Sequence, residues 1–194
     1  MLNFAENEPP RKLKINGSTY KIATDFKVWI RVSRLLEEMD KDDLSSCVRS
    51  AAKISKIVFG KLINEPAGDM LKAVVWFLKG YPKRRSAPEF GDAGHEERIF
   101  SFETDLNALI IAIRNQSGID LSYRRTEPFH WWEFLLEIET LEDRHAICKI
   151  MGYRAYSGEN KDLLMLKQKY ALSENSFHSH AENELAKFSG LFYD

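Results

Sequence analysis

The chain has 194 residues, 44% hydrophobic and 29% charged, with a formal net charge of -1. That length and balance describe a folded globular protein with room for one domain, or one domain with an appendage, and exclude a disordered tail. A charge near zero supplies no general reason to expect binding to nucleic acid or an anionic membrane, which needs a basic excess or a concentrated basic face.

Residues 1–10 are polar, end in Pro9-Pro10 and lack the charged-then-apolar pattern of a signal peptide; no apolar run reaches membrane-spanning length, so the expected location is cytoplasmic. Lys12-Leu13-Lys14-Ile15, Asn16-Gly17 and Ser18 to Ile22 alternate polar and apolar residues about an Asn-Gly turn and predict a β-hairpin. A lone hairpin is marginal, so a third strand at 98–102 or packing on helices is expected to support it. Thr24 or Asp25 can cap a helix to about Met39 with Phe26, Trp29 or Ile30, and Leu36 inward; the acidic cluster Asp40 to Asp43 reads as a solvated connection. A second helix is expected over 45–63, burying Val48, Ala52, Val58 or Phe59, and Leu62. A third follows Pro66, with Met70, Val74, Phe77 and Leu78 inside and Gly80 as its stop. Short links between the three predict an antiparallel bundle.

Residues 81–97 carry Pro82, Pro88, Gly91 and Gly94 with no usable period and predict a mobile loop that separates an N-terminal helical part from the rest of a single domain. Its Lys83-Arg84-Arg85 run, like Arg124-Arg125, is weak support for a nucleic-acid contact, because acidic residues follow closely. Leu106, Leu109, Ile110 and Ile113 then form a helical stripe ended by Gly118. Pro128-Phe129-His130-Trp131-Trp132-Glu133-Phe134 opens an aromatic helix with Trp131, Phe134, Leu135 and Ile138 on one stripe and Thr126 or Glu127 as its cap. So much ring area marks the densest part of the core. For both tryptophans the core reading comes first; since two adjacent ones on one helix cannot both point the same way, Trp132 with Leu136 is the secondary candidate for an interaction surface. A short helix over 143–151 stopped by Gly152, a turn over 153–158, an amphipathic helix over 161–172 and a helix-compatible tail over 173–194 complete the chain. The tail ends in Leu191-Phe192-Tyr193, a second candidate for partner binding. The expected fold class is therefore mainly α, a helical bundle with a small N-terminal β-hairpin in a sheet of two or three strands.

Asp105 before an apolar helix, Gly118-Ile119-Asp120-Leu121, then His130-Trp131-Trp132 with Phe134, and later Gly152-Tyr153-Arg154, in this order and spacing, resemble the "gene product fifteen" family of phages and prophages of Gram-positive bacteria. The chain departs from the family's pattern at Ser117, where an aromatic is usual, and at Phe129, where a leucine is usual. Genes of this family sit in tail-morphogenesis clusters, commonly between the major tail protein and the tape-measure protein. The resemblance thus implies a tail assembly chaperone that binds the tape measure and tail tube subunits in the host cytoplasm. The alternative is a structural minor tail or tail-completion protein of the virion.

No motif points to catalysis or to a cofactor: phosphate-binding loop, nucleophile elbow and His-Glu-x-x-His patterns are all missing from the sequence. His178 and His180 stand in a polar tail without a carboxylate at useful spacing. His130, Glu133 and Glu137 share a helical face but lack the Glu-x-x-His partners of a metal bundle, and Glu139, Glu142 and Asp143 fit no calcium loop. His130 is expected to serve as a hydrogen-bonded structural residue at the helix start, and Cys47 and Cys148 as buried free thiols. The expectation is a binding protein rather than an enzyme.

Overall fold

The computed structural model describes residues 8–40, 42–80, 99–122 and 127–172. Among them run one β-hairpin and seven helices, divided between two compact units. The first unit contains residues up to 84 together with 128–134. The second contains 85–127 and 135–179, so the aromatic helix begins in one unit and continues in the other. The expected loop over 81–97 and the expected tail over 173–194 lie outside the described residues.

In the first unit, β1 (Lys12–Ile15) pairs antiparallel with β2 (Ser18–Lys21), Lys12 opposite Lys21 and Ile15 opposite Ser18. Asn16 (φ 47°) and Gly17 (φ 85°) are both left-handed, as a type I′ turn requires. Leu13 and Ile15 are buried while Lys12 and Lys14 are exposed, and β1 lies against α3 (Ala67–Leu78). The turn is held by side chains: Asn16 Nδ2 donates to the carboxylates of Glu65 and Asp69, and the Tyr20 hydroxyl donates to Glu65. The hairpin therefore rests on a helix and needs no third strand.

Helix α1 (Phe26–Glu37) starts where Asp25 accepts from Lys27 N, and buries Phe26, Trp29, Ile30 and Val32; Leu36 is only half-buried. Helix α2 (Leu44–Phe59) is capped by Asp43, ends at Gly60 and buries Ala51, Ile54, Ser55 and Val58, an i, i+3, i+4, i+7 stripe. Val58 is buried as expected, but Ala51 takes the place expected of Ala52, so the rest of the stripe is shifted by one position. Val48 therefore faces out at 57% exposure, and Leu62, beyond the helix, is 58% exposed. The small buried Ser55 explains the error. Its hydroxyl donates to Lys61 O and accepts from Ile63 N, closing the turn after the helix, so a polar residue occupies a core position. Helix α3 follows expectation, with Met70, Val74, Phe77 and Leu78 all buried. The three helices pack in sequence, α1 on α2 and α2 on α3.

In the second unit, the described part of the stretch expected as a strand at 98–102 forms none: residues 99–101 are irregular and Phe102 opens a helix, α4 (Phe102–Ser117). Ser101 is its first flanking residue, and Asp105 reaches back to accept from Ser101 N at 2.9 Å, which fixes the helix start where a strand would have continued. Asp105, Leu109, Ala112 and Ile113 are buried along it. The aromatic helix α5 (Trp131–Glu139) is followed by α6 (Ala146–Arg154) and α7 (Lys161–Tyr170). Gln116 ties the intervening turn, donating to Thr140 O and accepting from Glu142 N and from the His145 ring. With its start thus displaced, α6 runs through Gly152 and ends at Arg154, later than expected. Helix α6 packs on both α4 and α7, and Tyr153 stacks on Tyr170 at 5.9 Å.

Candidate interaction surface

The chain enters the aromatic helix extended rather than helical. Phe26 N donates to Phe129 O, Trp131 N donates to Thr24 O, and Asp25 and His130 pair as an isolated bridge. Asp25 uses both carboxylate oxygens, one on Lys27 N inside α1 and the other on Phe129 N. The helix consequently starts at Trp131, three residues after the expected Pro128, and His130 replaces Thr126 or Glu127 as its cap. His130 Nδ1 accepts from Trp132 N at 3.1 Å, so it carries no proton, and Nε2–H donates to Pro10 O at 3.0 Å. Burial holds the imidazole below its ordinary pKa, the Pro10 hydrogen bond opposing this in part. Both ring nitrogens of His130 thus bond to backbone, one at the helix start and one at Pro10.

Trp131 and Trp132 are both buried, at 2% and 1% exposure, which corrects the secondary expectation that Trp132 reaches the surface. The reason lies at the end of α3. The last carbonyls of a helix have no partner within it, and here Trp131 Nε1 donates to Leu78 O while Trp132 Nε1 donates to Phe77 O, each at 2.9 Å. Adjacent residues point about 100° apart, yet both indoles reach neighbouring carbonyls of one helix end. The rings then fill the space around it: Trp132 contacts Phe77 at 5.4 Å, Trp29 contacts Phe77 at 4.2 Å, and Phe134 lies between Phe26 at 4.6 Å and Trp131 at 5.7 Å. Leu136 is half-buried. Leu191, Phe192 and Tyr193 lie outside the described residues.

Among the described residues the aromatic that is exposed rather than buried or half-buried is Trp76. It is 47% exposed and lies edge-on over Trp132, ring centroids 5.5 Å apart. Its neighbours on the outward face of α3 are Lys72 and Lys79, both exposed, one turn to either side. Reasoning from the sequence passed over this residue because attention went to the stripe of Met70, Val74 and Phe77. An aromatic off that stripe, between two lysines, was the available signal.

The remaining motif residues build the second unit. The Arg154 guanidinium grips Asp105 through two bonds, Nη1 to Oδ2 at 2.6 Å and Nη2 to Oδ1 at 3.1 Å. It also donates through Nε to Tyr170 O, at the end of α7, and through Nη1 to Ile99 O. Both side chains are at most 6% exposed. With four of its five N–H donors on protein groups and its side chain buried, Arg154 joins the start of α4 to the end of α7. Gly118 (φ 75°) ends α4 in the left-handed conformation, Ile119 is half-buried, Asp120 accepts from Ser122 N, and Leu121 is fully buried.

Among the described residues no three His, Cys, Asp or Glu side chains converge as a metal site, and both ring nitrogens of His130 are engaged with backbone. Cys47 and Cys148 are free but half-buried rather than buried; Cys47 Sγ donates to Asp40 O, and burial raises the Cys148 thiol pKa. Glu142 holds Arg144 at 2.9 Å. His178, His180, Lys83 to Arg85 and Arg124-Arg125 lie outside the described residues. No helix among the described residues is long and apolar enough to cross a membrane.

A family model described as "Bacteriophage Gp15 protein" matches residues 7–173. No curated protein and no solved structure matches the chain.

Proposed function

The chain belongs to the bacteriophage Gp15 family, and from that premise we propose that it is a tail assembly chaperone, a non-enzymatic protein of the host cytoplasm that binds the tape-measure protein and tail tube subunits. The observation that carries the reading is Trp76. A large aromatic left half in solvent, backed by a buried and hydrogen-bonded Trp132, is an anchor whose position is set before any partner arrives. Tryptophan flanked by lysine stems suits a groove or helix face with apolar and acidic character, such as a long amphipathic tape measure presents.

The direct test is co-expression with the neighbouring tape-measure gene. The tagged chain is expected to co-purify with the tape measure, and Trp76→Ala is expected to weaken that binding by about 2 kcal/mol or more, roughly thirtyfold, without loss of the fold. Mass spectrometry of purified virions separates this from a structural tail component: a chaperone is depleted from mature particles. Stoichiometric copies in the virion, or no association of the unmodified chain with the tape measure, would overturn the proposal.

A further inference from the structure

The near-neutral charge of the whole chain conceals a local concentration. Helices α1 and α2 pack side by side, and the groove along them is lined by Arg31 and Arg34 from α1, Lys53 and Lys56 from α2, and Glu38 at the end of α1. Its remaining lining is apolar, from Leu35 and Ile57, both half-buried. Four cations thus face one carboxylate across a hydrophobic floor. All four are exposed, and none makes a salt bridge among the described residues. Arg34 and Lys56 stand in the last turns of their helices, where the helix dipole favours a positive charge. Arg31 and Lys53 lie one turn earlier and have no such explanation.

We propose that this groove binds an acidic amphipathic helix of a partner protein, its apolar stripe on Leu35 and Ile57 and its flanking carboxylates between the two basic rows. Within each helix the cations are three residues apart, so each row repeats once per turn, matching the carboxylate spacing on one shoulder of a bound helix. The apolar floor decides against nucleic acid. A phosphate backbone has no use for Leu35 and Ile57, whereas an amphipathic helix buries its stripe there. Glu38 would also repel a phosphate. The proposal does not depend on the chaperone reading, since the groove and Trp76 lie on different helices.

The test is fluorescence anisotropy with the full chain and four labelled probes: a helical peptide with leucine along one face and glutamate on both shoulders, the same peptide with glutamine for glutamate, the same peptide with lysine for glutamate, and duplex DNA of random sequence. The glutamate peptide is expected to bind saturably and to weaken with added salt, because exposed charges are screened. The glutamine peptide is expected to bind about tenfold more weakly, and the Arg31→Glu/Lys53→Glu variant to lose about tenfold or more for the glutamate peptide. A peptide with lysine shoulders should recover binding to that variant. Lys149→Glu/Lys161→Glu, an equal charge change on α6 and α7, should alter nothing; unchanged circular dichroism melts establish that both variants fold. Absence of saturable binding by the wild type, equal losses in both double variants, or DNA binding tighter than the glutamate peptide would each overturn the proposal.

Discussion

The two units end their helices by opposite chemistry. In the first, the last carbonyls of α3 receive the neutral indole N–H groups of Trp131 and Trp132, whose rings then fill the surrounding core. In the second, the start of α4 and the end of α7 are joined by a buried ion pair, Asp105 with Arg154. The indoles bring apolar area and a hydrogen bond in one group, so their contribution is mostly burial. The ion pair must first offset the desolvation of two charges, and its value lies in specifying which helix ends meet. The end of α3 is held by packing, the junction of α4 and α7 by matched polar geometry.

The contrast is sharpest when one side chain is cut away. Trp131→Ala, Trp132→Ala and Phe134→Ala are each expected to cost about 3 to 5 kcal/mol in urea denaturation, because a ring-sized cavity opens in a packed core. Arg154→Ala is expected to cost a similar amount, about 3 to 5 kcal/mol, for a different reason: Asp105 is left charged and buried without its partner. The two mechanisms separate in the double replacement. Asp105→Leu with Arg154→Met removes both charges and is expected to be less destabilising than Arg154→Ala alone, the remaining loss being the Tyr170, Ile99 and Ser101 backbone bonds. A double variant as unstable as the sum of its singles would contradict the ion-pair account.

A smaller effect isolates the indole donor. Trp132→Phe keeps much of the ring and leaves Phe77 O with its Gly80 N bond alone, so a loss of about 0.5 to 1.5 kcal/mol is expected in the same assay. Smaller still is the pH response of His130. Its folded pKa is lowered below its ordinary 6.5, so the unfolded chain takes up the proton more readily, and stability present above that value is lost as pH falls below it. His130→Asn retains a capping side chain without titrating, and its thermal midpoint should fall less than that of wild type as pH is lowered from about 7 through 6.5 and below.

These regions differed in how much of them could be read in advance. The hairpin, its Asn16-Gly17 turn, α3 and the Gly118 stop were legible because local chemistry alone decides them: alternation, left-handed turns and an unbroken apolar stripe. The phase of α2 was not, since Ser55 occupies the core through hydrogen bonds made to residues beyond the helix. Nor were the start of α4 and the bounds of α6, which are set by Asp105 and Gln116 through bonds that no periodicity records. The motif Asp105 and Arg154 stood out in the sequence as two separate features. Their contact across 49 residues is what makes them one. Trp132 was misplaced for a related reason: periodicity along one helix ignores the neighbouring helix end, whose carbonyls Phe77 O and Leu78 O accept from both indoles.

The paired tryptophans belong to the core, and Trp76 is the tryptophan at the surface. The chain has four tryptophans, of which Trp29, Trp131 and Trp132 are at most 2% exposed and Trp76 is 47% exposed. Acrylamide quenching of tryptophan fluorescence reads that difference directly in the native protein. The expected result is one readily quenched component that disappears in Trp76→Phe and survives in Trp132→Phe. Loss of that component in Trp132→Phe, with quenching unchanged in Trp76→Phe, would contradict the account.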